Sequence, residues 1–314
     1  MIDREIASRL ERIAGVGKFS INESMAKHTT FRCGGKCDYF ASPSENWQVA
    51  EIIEVCREAG IPFCILGNGS NLLVSDKGYH GVMIHMGGSM SGFTVDEDQG
   101  IVSVKAGTML AGMSKQVSRM GLADMTFASG IPGSFGGACV MNAGAYGGEM
   151  KQVLKDVTWL SEDGRIVTTP ADELGLGYRE SIFKHSDKVI LSGSLQLSRQ
   201  DPRPLMERIE ELTRQRKEKQ PLEYPSAGST FKRPAGYFAG KLIQDSGLRG
   251  YQLGGAQVSE KHCGFVINRD HATATDLYQL FCYIQDILNP YMSIRMRETI
   301  YVLRWRFPMW KFGP

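Results

Sequence analysis

The spacing of apolar and polar positions predicts an α/β unit at the start of the chain. Residues 3–14 have the periodicity of a short amphipathic helix. A second helix is expected after Ser42, because Pro43 suits a first helical position and Ser42 with Glu45 has the spacing of a capping box. The apolar run at residues 61–66 then predicts a short buried strand that leads directly into a glycine-rich loop.

Short strands separated by turns are predicted from about residue 80 onward. Apolar and β-branched residues are concentrated in five stretches, at residues 81–86, 100–107, 156–160, 165–169 and 188–198. Glu162, Asp163 and Gly164 have the composition of a hairpin turn between two of these strands. One helix, at about residues 109–120, interrupts the series.

The last third of the chain predicts a mixture of helices and strands. A charged helix followed by prolines, at residues 201–225, has the composition of a connector. Beyond it we expect a helix near residues 236–246, strands around 251–267, and a helix that starts at Thr273 and is capped with Asp276. These patterns divide the chain into three predicted parts, at residues 1–80, 81–205 and 206–314.

Composition restricts the class of protein. The chain has 314 residues, 42% of them hydrophobic and 22% charged, and a formal net charge of +2. This balance favours neither a general nucleic-acid binder nor a membrane-surface protein. The seven cysteines are scattered, form no clear disulfide framework and, with one close pair at Cys33 and Cys37, predict no metal site. The N-terminal segment lacks the apolar core of a signal peptide, and we expect a cytoplasmic protein.

Two glycine-rich segments carry the strongest candidate chemistry. Residues 67–72, GNGSNL, directly follow a predicted strand, and glycine lets a backbone turn sharply and approach an anion closely. Leu72 stands where a dinucleotide fingerprint would have its third glycine, so a plain glycine turn is an equal alternative. Residues 130–149 hold seven glycines, a density that favours a cofactor diphosphate site over a structural bend.

Three further segments contain side chains that are suited to a polar ligand. Arg179 lies in Tyr-Arg-Glu-Ser-Ile-Phe, and its planar guanidinium group could bind a carboxylate, although a surface arginine is more common. Ser229 lies in Ala-Gly-Ser-Thr-Phe-Lys and could donate a proton, although an ordinary strand entry is the simpler alternative. A third segment, from Gly254 to Asn268, could supply loop contacts, while His262 by itself is more often structural.

Together, these five segments resemble those of the UDP-N-acetylenolpyruvoylglucosamine reductase family. The order and spacing carry the resemblance, which covers roughly residues 20–290 and rests on GNGSNLLVSDKGYHGVMI, VKAGT, GIPGSFGGACVMNAGAYGGE, YRESIF, AGSTFKRP, FAGKLIQDSGLRG and GGAQVSEKHCGFVIN. The chain lacks the inserted segment with an additional active-site tyrosine, and therefore resembles the shorter branch of the family.

The resemblance implies an α+β protein in three parts. Two subdomains would bind FAD non-covalently in the vanillyl-alcohol-oxidase-like (PCMH-type) fold, and a C-terminal α+β domain would bind the substrate. The cofactor-binding residues that it implies are Gly67, Asn68, Gly69, Ser70, Asn71, Leu72, Gly130, Pro132, Gly133, Ser134, Gly136, Gly137, Asn142, Ala143 and Gly144.

The reaction that the resemblance implies is that of a UDP-N-acetylmuramate dehydrogenase in peptidoglycan precursor synthesis. NADPH would supply the hydride, and a monomer would reduce the enolpyruvyl ether of a UDP-sugar. Arg179, Ser229 and Glu298 are the implied catalytic residues. The implied substrate-binding residues are Lys232, Lys241, Gln257 and Asn268.

The position of Glu298 departs from the family pattern. Counting without gaps from Asp276 places Thr299 at the position of the family's catalytic glutamate. A one-residue gap near Asn289 and Pro290 restores Glu298, and this is the alignment we expect. A strand alternates its faces, so a one-residue slip would point the carboxylate away from the site. Alternatively the glutamate is absent and residues 302–314 are a divergent end, which would keep open a nucleotide-binding homologue that has lost catalysis. Another FAD-linked oxidase of the same fold is a separate alternative.

Overall fold

A computed structural model describes residues 2–288 and 300–303 of the chain. In this part of the chain the helices and strands form three larger sheets and two short strand pairs, each larger sheet with its own helices. The α+β class predicted from the sequence is confirmed.

The first sheet is mixed and lies near the N-terminus. The strands of this region are β1 (Phe19–Ser24), β2 (Lys36–Ala41), β3 (Phe63–Leu66), β4 (Leu72–Val74) and β5 (Tyr79–His85). Four of them form a sheet in the order β1-β2-β5-β3, in which β2, β5 and β3 are parallel and β1 is antiparallel to β2. The expected boundary at residue 80 falls inside β5, so this sheet extends to His85.

Two helices accompany this sheet, and the start predicted for the second was wrong. Helix α1 spans Arg4–Ala14 with Asp3 as its N-cap, as expected. Helix α2 spans Asn46–Glu58, and its capping box joins Glu45 to Gln48. Ser42 and Pro43 therefore precede the helix. The spacing rule selected the serine one turn too early, because a glutamate can take the same capping position.

The second sheet is antiparallel and comes from the middle of the chain. The strands here are β6 (Phe93–Asp96), β7 (Ile101–Lys105), β8 (Gly144–Ala145), β9 (Gly148–Glu149), β10 (Leu154–Leu160), β11 (Ile166–Pro170) and β12 (Val189–Gln196). The sheet order is β11-β10-β12-β7-β6, and β8 with β9 makes a separate hairpin. The predicted turn at Glu162–Gly164 does join β10 to β11.

Three helices belong with the second sheet: α3 (Leu110–Arg119), α4 (Phe135–Val140) and α5 (Pro202–Lys219). The predicted connector helix is α5, and it packs on α3. Its buried residues are Leu205, Ile209 and Leu212. The expected boundary at residue 205 falls inside this helix, so its packing places α5 with the middle part of the chain.

The third sheet holds the C-terminal part of the described chain. Its strands are β13 (Ser226–Ser229), β14 (Gln252–Leu253), β15 (Ala256–Val258) and β16 (Phe265–Asn268), in the order β13-β16-β15-β14. Helices α6 (Ala239–Asp245) and α7 (Ala274–Leu288) flank it, and strand β17 (Tyr301–Leu303) follows. Reciprocal hydrogen bonds between Thr273 and Asp276 cap α7, as predicted.

The third part of the chain is joined to the first by long-range contacts. Strand β17 pairs in parallel with β4. The Asp76 carboxylate accepts hydrogen bonds from the backbone N–H groups of Ala274 and Thr275, at 2.9 and 2.8 Å, at the start of α7. The Asn268 side chain donates to the carbonyl oxygen of Phe31 at 2.9 Å. These contacts join the C-terminal part of the chain to β4, to Asp76 just beyond it and to Phe31 before β2.

Among residues 2–288 and 300–303, no helix is long and apolar enough to cross a membrane. The largest hydrophobic cluster is continuous between the first two parts of the chain, and a second cluster joins the C-terminal part to Phe31 and Leu73. The first two sheets therefore share a core, and the third packs onto the first part.

Candidate active site

The two glycine-rich segments lie side by side. A Cβ atom on Gly67 would overlap the hydroxyl oxygen of Ser134, and a Cβ atom on Gly133 would lie 3.5 Å from the Ser70 hydroxyl oxygen. The Asn68 side chain donates to the carbonyl oxygen of Pro132 at 2.5 Å. Two segments that are more than sixty residues apart in the sequence thus form one surface. Binding of one cofactor by both segments would require such an arrangement.

Several glycines of the second segment are required by protein contacts. A Cβ atom on Gly136 would lie 3.1 Å from the Cβ of Ala106, and one on Gly144 would lie 2.6 Å from the carbonyl oxygen of Gly148. On Gly148 itself it would collide with the Phe127 ring. Close approach of the backbone to other protein atoms therefore explains part of this glycine density.

Gly133 and Ser134 lie where the second segment meets the first, next to Ser70 and Gly67. The backbone N–H groups of Phe135 and Gly136 donate to the carbonyl oxygens of Thr108 and Ala106, both at 2.8 Å. Gly137 donates to the Ser134 hydroxyl at 3.4 Å. No described residue accepts from the N–H groups of Gly133 and Ser134. Two backbone donors are therefore available at this junction, which fits a diphosphate.

A half-buried arginine beside this surface was missed in the sequence. A Cβ atom on Gly130 would lie 2.5 Å from the Nη1 atom of Arg216, on α5. Burial lowers the pKa of Arg216, with the nearby Tyr146 hydroxyl opposing the shift. Within the described part of the chain no carboxylate pairs with it. Arg216 lies inside a charged helix, where the sequence pattern resembles that of a solvated face, so no local signal distinguished it.

Arg179 lies in a tight turn with a left-handed backbone. Gly177 and Glu180 exchange two backbone hydrogen bonds, at 3.1 and 3.2 Å, and Arg179 has a φ of 58°. This conformation is uncommon for a residue with a side chain and is found where the surroundings enforce it. The guanidinium group donates to the carbonyl oxygens of Asn142 at 3.4 Å and Gly144 at 3.1 Å. The turn thus directs Arg179 onto the second glycine-rich segment.

Asn142 is fully buried and satisfied by the protein. Its Nδ2 atom donates to Glu149 Oε2 at 2.9 Å and to the carbonyl oxygen of Gly177 at 3.0 Å. Its Oδ1 atom accepts from the Lys151 N–H at 2.9 Å. The side chain expected to bind a cofactor therefore has both its donor and its acceptor groups engaged inside the protein.

The Arg179 turn contacts the segment that contains Ser229. Lys232 forms a short ion pair with Glu180, and the Arg233 N–H donates to the Tyr178 hydroxyl at 3.2 Å. Hydrogen bonds from Lys232, and then from Lys184, lower the pKa of the Glu180 carboxyl. Ser229 is exposed at the end of β13. Two sequence segments predicted to act together are therefore in contact.

The other predicted substrate residues occupy different environments. Lys241 is exposed and pairs with Asp245 at 2.5 Å on α6. The Gln257 side chain donates to the carbonyl oxygen of Gly250 at 3.2 Å and is partly exposed. Asn268 is buried, and besides Phe31 it holds the Ala272 N–H at 2.7 Å, so its side chain is used in joining two parts of the fold.

Of the remaining residues predicted for the site, all but one lie in the described part of the chain. Leu72 is buried in β4, while Gly69 adopts a φ of 60° and Asn71 and Ala143 are partly exposed. Glu298 lies outside the described residues, and its catalytic role stays a prediction. Among the described residues no group of three potential ligands could hold a metal ion.

The middle of the chain matches a known cofactor-binding domain. A family model described as the FAD binding domain matches residues 37–170. The fold is also similar to that of Phl p 4, a glucose dehydrogenase, with a TM-score of 0.51 and 13% identity over 63% of this chain and 45% of that chain. The fold and the paired glycine-rich segments define an FAD-dependent flavoprotein of the PCMH-type fold.

Longer similarities specify the family. The reductase of Agathobacter rectalis, a UDP-N-acetylenolpyruvoylglucosamine reductase, is 46% identical over 89% of this chain and 92% of its own length. The one of Lachnoclostridium phytofermentans is 43% identical over 94% and 96%. The chain belongs to the UDP-N-acetylenolpyruvoylglucosamine reductase family, as the sequence predicted.

Two further comparisons agree with this family. A model described as the C-terminal domain of UDP-N-acetylenolpyruvoylglucosamine reductase matches residues 220–303. The crystal structure of this reductase (MurB) from Thermus caldophilus has a TM-score of 0.78 and 30% identity over 91% of this chain and 98% of that chain. The similarity therefore extends through all three sheets.

Proposed function

We propose that this chain reduces UDP-N-acetylenolpyruvoylglucosamine to UDP-N-acetylmuramate with FAD and NADPH, in peptidoglycan precursor synthesis. The observation that carries the proposal is the contact of the Arg179 turn with the Ser229 segment through Glu180 and Lys232. This contact supports a single site in which Arg179 binds the carboxylate and Ser229 donates the proton. The family relationship supplies the substrate class.

The paired glycine-rich segments fit the FAD diphosphate. Gly133 leaves space beside Ser70, and the N–H groups of Gly133 and Ser134 supply donors. Arg216 adds a positive charge behind Gly130. When bound, FAD supplies transfer of a hydride from NADPH to the substrate. The protein residues bind, orient and polarise the reactants.

Arg179 is proposed to stabilise the substrate carboxylate. Hydride addition to the methylene carbon of an enolpyruvyl ether places negative charge on the neighbouring carbon and its carboxylate. A cation that is already positioned lowers the energy of that charge without reorganisation during the reaction. Two backbone carbonyls hold the Arg179 guanidinium, and its remaining N–H groups can bind a carboxylate oxygen.

Ser229 is proposed to donate the proton to the carboxylate-bearing carbon. A serine hydroxyl is a weak acid, so it needs nearby positive charge. Lys232 lies three residues away and is held near the Arg179 turn by Glu180. Glu298 is proposed to assist this protonation.

Lys232, Lys241 and Gln257 are proposed to contact the substrate. Asn268 is proposed to act through its position at the junction with Phe31.

An absorbance experiment on the purified protein tests this function. We expect a flavin spectrum that NADPH bleaches without air and that UDP-N-acetylenolpyruvoylglucosamine restores. Denaturation with acid should release the flavin, because its binding is proposed to be non-covalent. Restoration by oxygen but not by the UDP-sugar would favour an oxidase of the same fold. Reduction without any turnover of the UDP-sugar would favour a degenerate nucleotide-binding homologue.

We further propose that the chain acts as a cytoplasmic monomer. All seven cysteines are free and five are buried, which suits a reducing compartment. A monomeric mass in light scattering, unchanged by substrate, is the expected result.

A further inference from the structure

Asn142 stands at the junction between the second glycine-rich segment and the Arg179 turn. Its side chain is buried, with an exposed fraction of 0%, although it lies in a segment expected to contact the cofactor. Its Nδ2 atom donates to the Gly177 carbonyl oxygen, which also accepts the Glu180 N–H of the turn. Asn142 thus fixes the first residue of the turn that carries Arg179.

The backbone of Asn142 contacts the Arg179 side chain as well. Its carbonyl oxygen accepts from Nη1 at 3.4 Å. The side chain of Asn142 therefore holds Gly177 in the turn, and its main chain holds the Arg179 guanidinium. Asn142 itself has a φ of 38° and Arg179 a φ of 58°. Left-handed backbone at two non-glycine residues persists where neighbouring contacts enforce it. The hydrogen bonds of Asn142 are contacts of this kind.

Glu149 completes the arrangement by orienting the asparagine amide. Glu149 Oε2 accepts from Nδ2 at 2.9 Å, and the Lys151 N–H donates to Oδ1. Because the amide nitrogen faces two acceptors and the amide oxygen faces a donor, one orientation of the amide is favoured. The Glu149 carboxylate also pairs with Lys151 at 2.8 Å, which neutralises its charge beside the site.

We infer that Asn142 is a positioning residue for Arg179, and that its side chain acts in substrate reduction rather than in cofactor binding. This inference rests on the proposed role of Arg179. Displacement of a catalytic group by about 1 Å costs up to about 10²-fold in rate. Loss of the Asn142 side chain therefore slows the step that uses the substrate carboxylate and leaves flavin binding intact.

Stopped-flow absorbance on flavin-loaded protein separates these roles. Asn142→Ala is expected to keep its flavin and its rate of reduction by NADPH. Its reoxidation by UDP-N-acetylenolpyruvoylglucosamine is expected to slow by about 10- to 100-fold. Gln48→Ala is the matched control, since Gln48 is also a buried side-chain amide. It lies on α2, and its Nε2 donates to the Ile13 carbonyl oxygen at 2.7 Å. The control should change stability without changing the ratio of the two rates.

A double-mutant cycle with Arg179→Lys tests whether the residue acts through Arg179. Residues that act as one unit give non-additive losses, so the double variant should be no slower than Arg179→Lys alone. Additive losses would overturn the positioning role and leave Arg179 in place. Normal reoxidation by Arg179→Lys would instead contradict the proposed function. Loss of flavin from Asn142→Ala would return Asn142 to the cofactor site.

Changes at Glu149 keep the test available if Asn142→Ala does not fold. Glu149→Ala removes one acceptor of the asparagine amide and should slow reoxidation. Glu149→Gln keeps an oxygen in reach of Nδ2 and should restore most of the rate. Equal slowing by both variants would overturn the inference, because the oxygen that accepts from Asn142 Nδ2 would then have no effect on the rate.

Discussion

Gly67 and Ser134 are so close that a Cβ atom on the glycine would overlap the serine hydroxyl. This pair joins the two glycine-rich segments, which the sequence separates by strands β5, β6 and β7 and helix α3. The glycines of these segments have two different roles. Some permit the two backbones to meet, and others leave space for a ligand.

Gly133→Ala should weaken FAD binding without harming the fold. Gly133 has no left-handed φ, and an added methyl group would point into the space beside Ser70. Overpacking costs about 1–3 kcal/mol, which corresponds to roughly 5- to 140-fold weaker binding. Titration of deflavinated protein with FAD measures the effect. The control is Gly112→Ala, which adds a methyl group in open space on α3. If Gly133→Ala binds FAD normally, the diphosphate lies elsewhere.

Arg216→Met should also weaken FAD binding. The guanidinium lies behind Gly130 without a carboxylate partner among the described residues, so a bound diphosphate would supply its counter-charge. A hydrogen bond to a charged group contributes about 1.5–3 kcal/mol, equivalent to roughly 10- to 100-fold in affinity. Arg214→Met is the control, because Arg214 lies on the same helix but is exposed and pairs with Glu218. Unchanged FAD affinity would assign Arg216 to packing alone.

Ser229→Ala should slow the half-reaction that consumes the UDP-sugar. Loss of a positioned proton donor costs about 10²–10⁴-fold. Flavin reduction by NADPH should stay at the parental rate, since no proton is delivered to substrate in that step. Ser226→Ala, on the same strand, serves as the control. Equal slowing of both half-reactions in stopped flow would argue against Ser229 as the donor.

Glu298→Gln should likewise lose most of the substrate half-reaction and retain flavin reduction. The expectation depends on the one-residue gap near Asn289 and Pro290. Thr299→Ala is the corresponding test of the alignment without a gap. A fast Glu298→Gln variant together with a slow Thr299→Ala variant would favour the alternative register.

The stability of the protein should fall as pH decreases below about 6.5. Burial, and then the neighbouring His28, lowers the pKa of His85. The folded state therefore binds fewer protons than the unfolded chain, whose histidines titrate near 6.5. The stabilisation is complete above that pH and is lost as pH falls towards the lower, folded pKa. Thermal unfolding from pH 8 to 5 should show a shallower loss in His85→Gln. An identical slope would exclude His85 as the source.

Local patterns were sufficient for much of the fold. Helices α1, α3, α5 and α7 follow the apolar periodicity, and the hairpin of β10 and β11 follows its turn residues. The start of α2 was misplaced because Ser42 and Glu45 satisfy the same local rule that Glu45 and Gln48 use. Strands β1 and β2 were missed, since their pairing with each other and with β5 is not encoded in a short window.

The candidate site was recognisable from segment order but not from geometry. From the sequence, the resemblance to a family implied that the Arg179 and Ser229 segments belong to one active site. It could not show that Asn142 is buried, that Arg216 stands behind Gly130, or that Asn268 holds Phe31. Each of these facts depends on contacts between residues far apart in the chain.

The pairing of β17 with β4 has a consequence for the order of assembly. The strand that directly follows the first glycine-rich loop gains its parallel partner from residues 301–303, which are synthesised much later. The Asn268 bond to Phe31 spans 237 positions and imposes the same delay. Such distant pairings form late because their loop-closure entropy is lost before the contacts contribute. On the ribosome, β4 and Phe31 therefore make these contacts only after residues 268 and 301–303 have been synthesised.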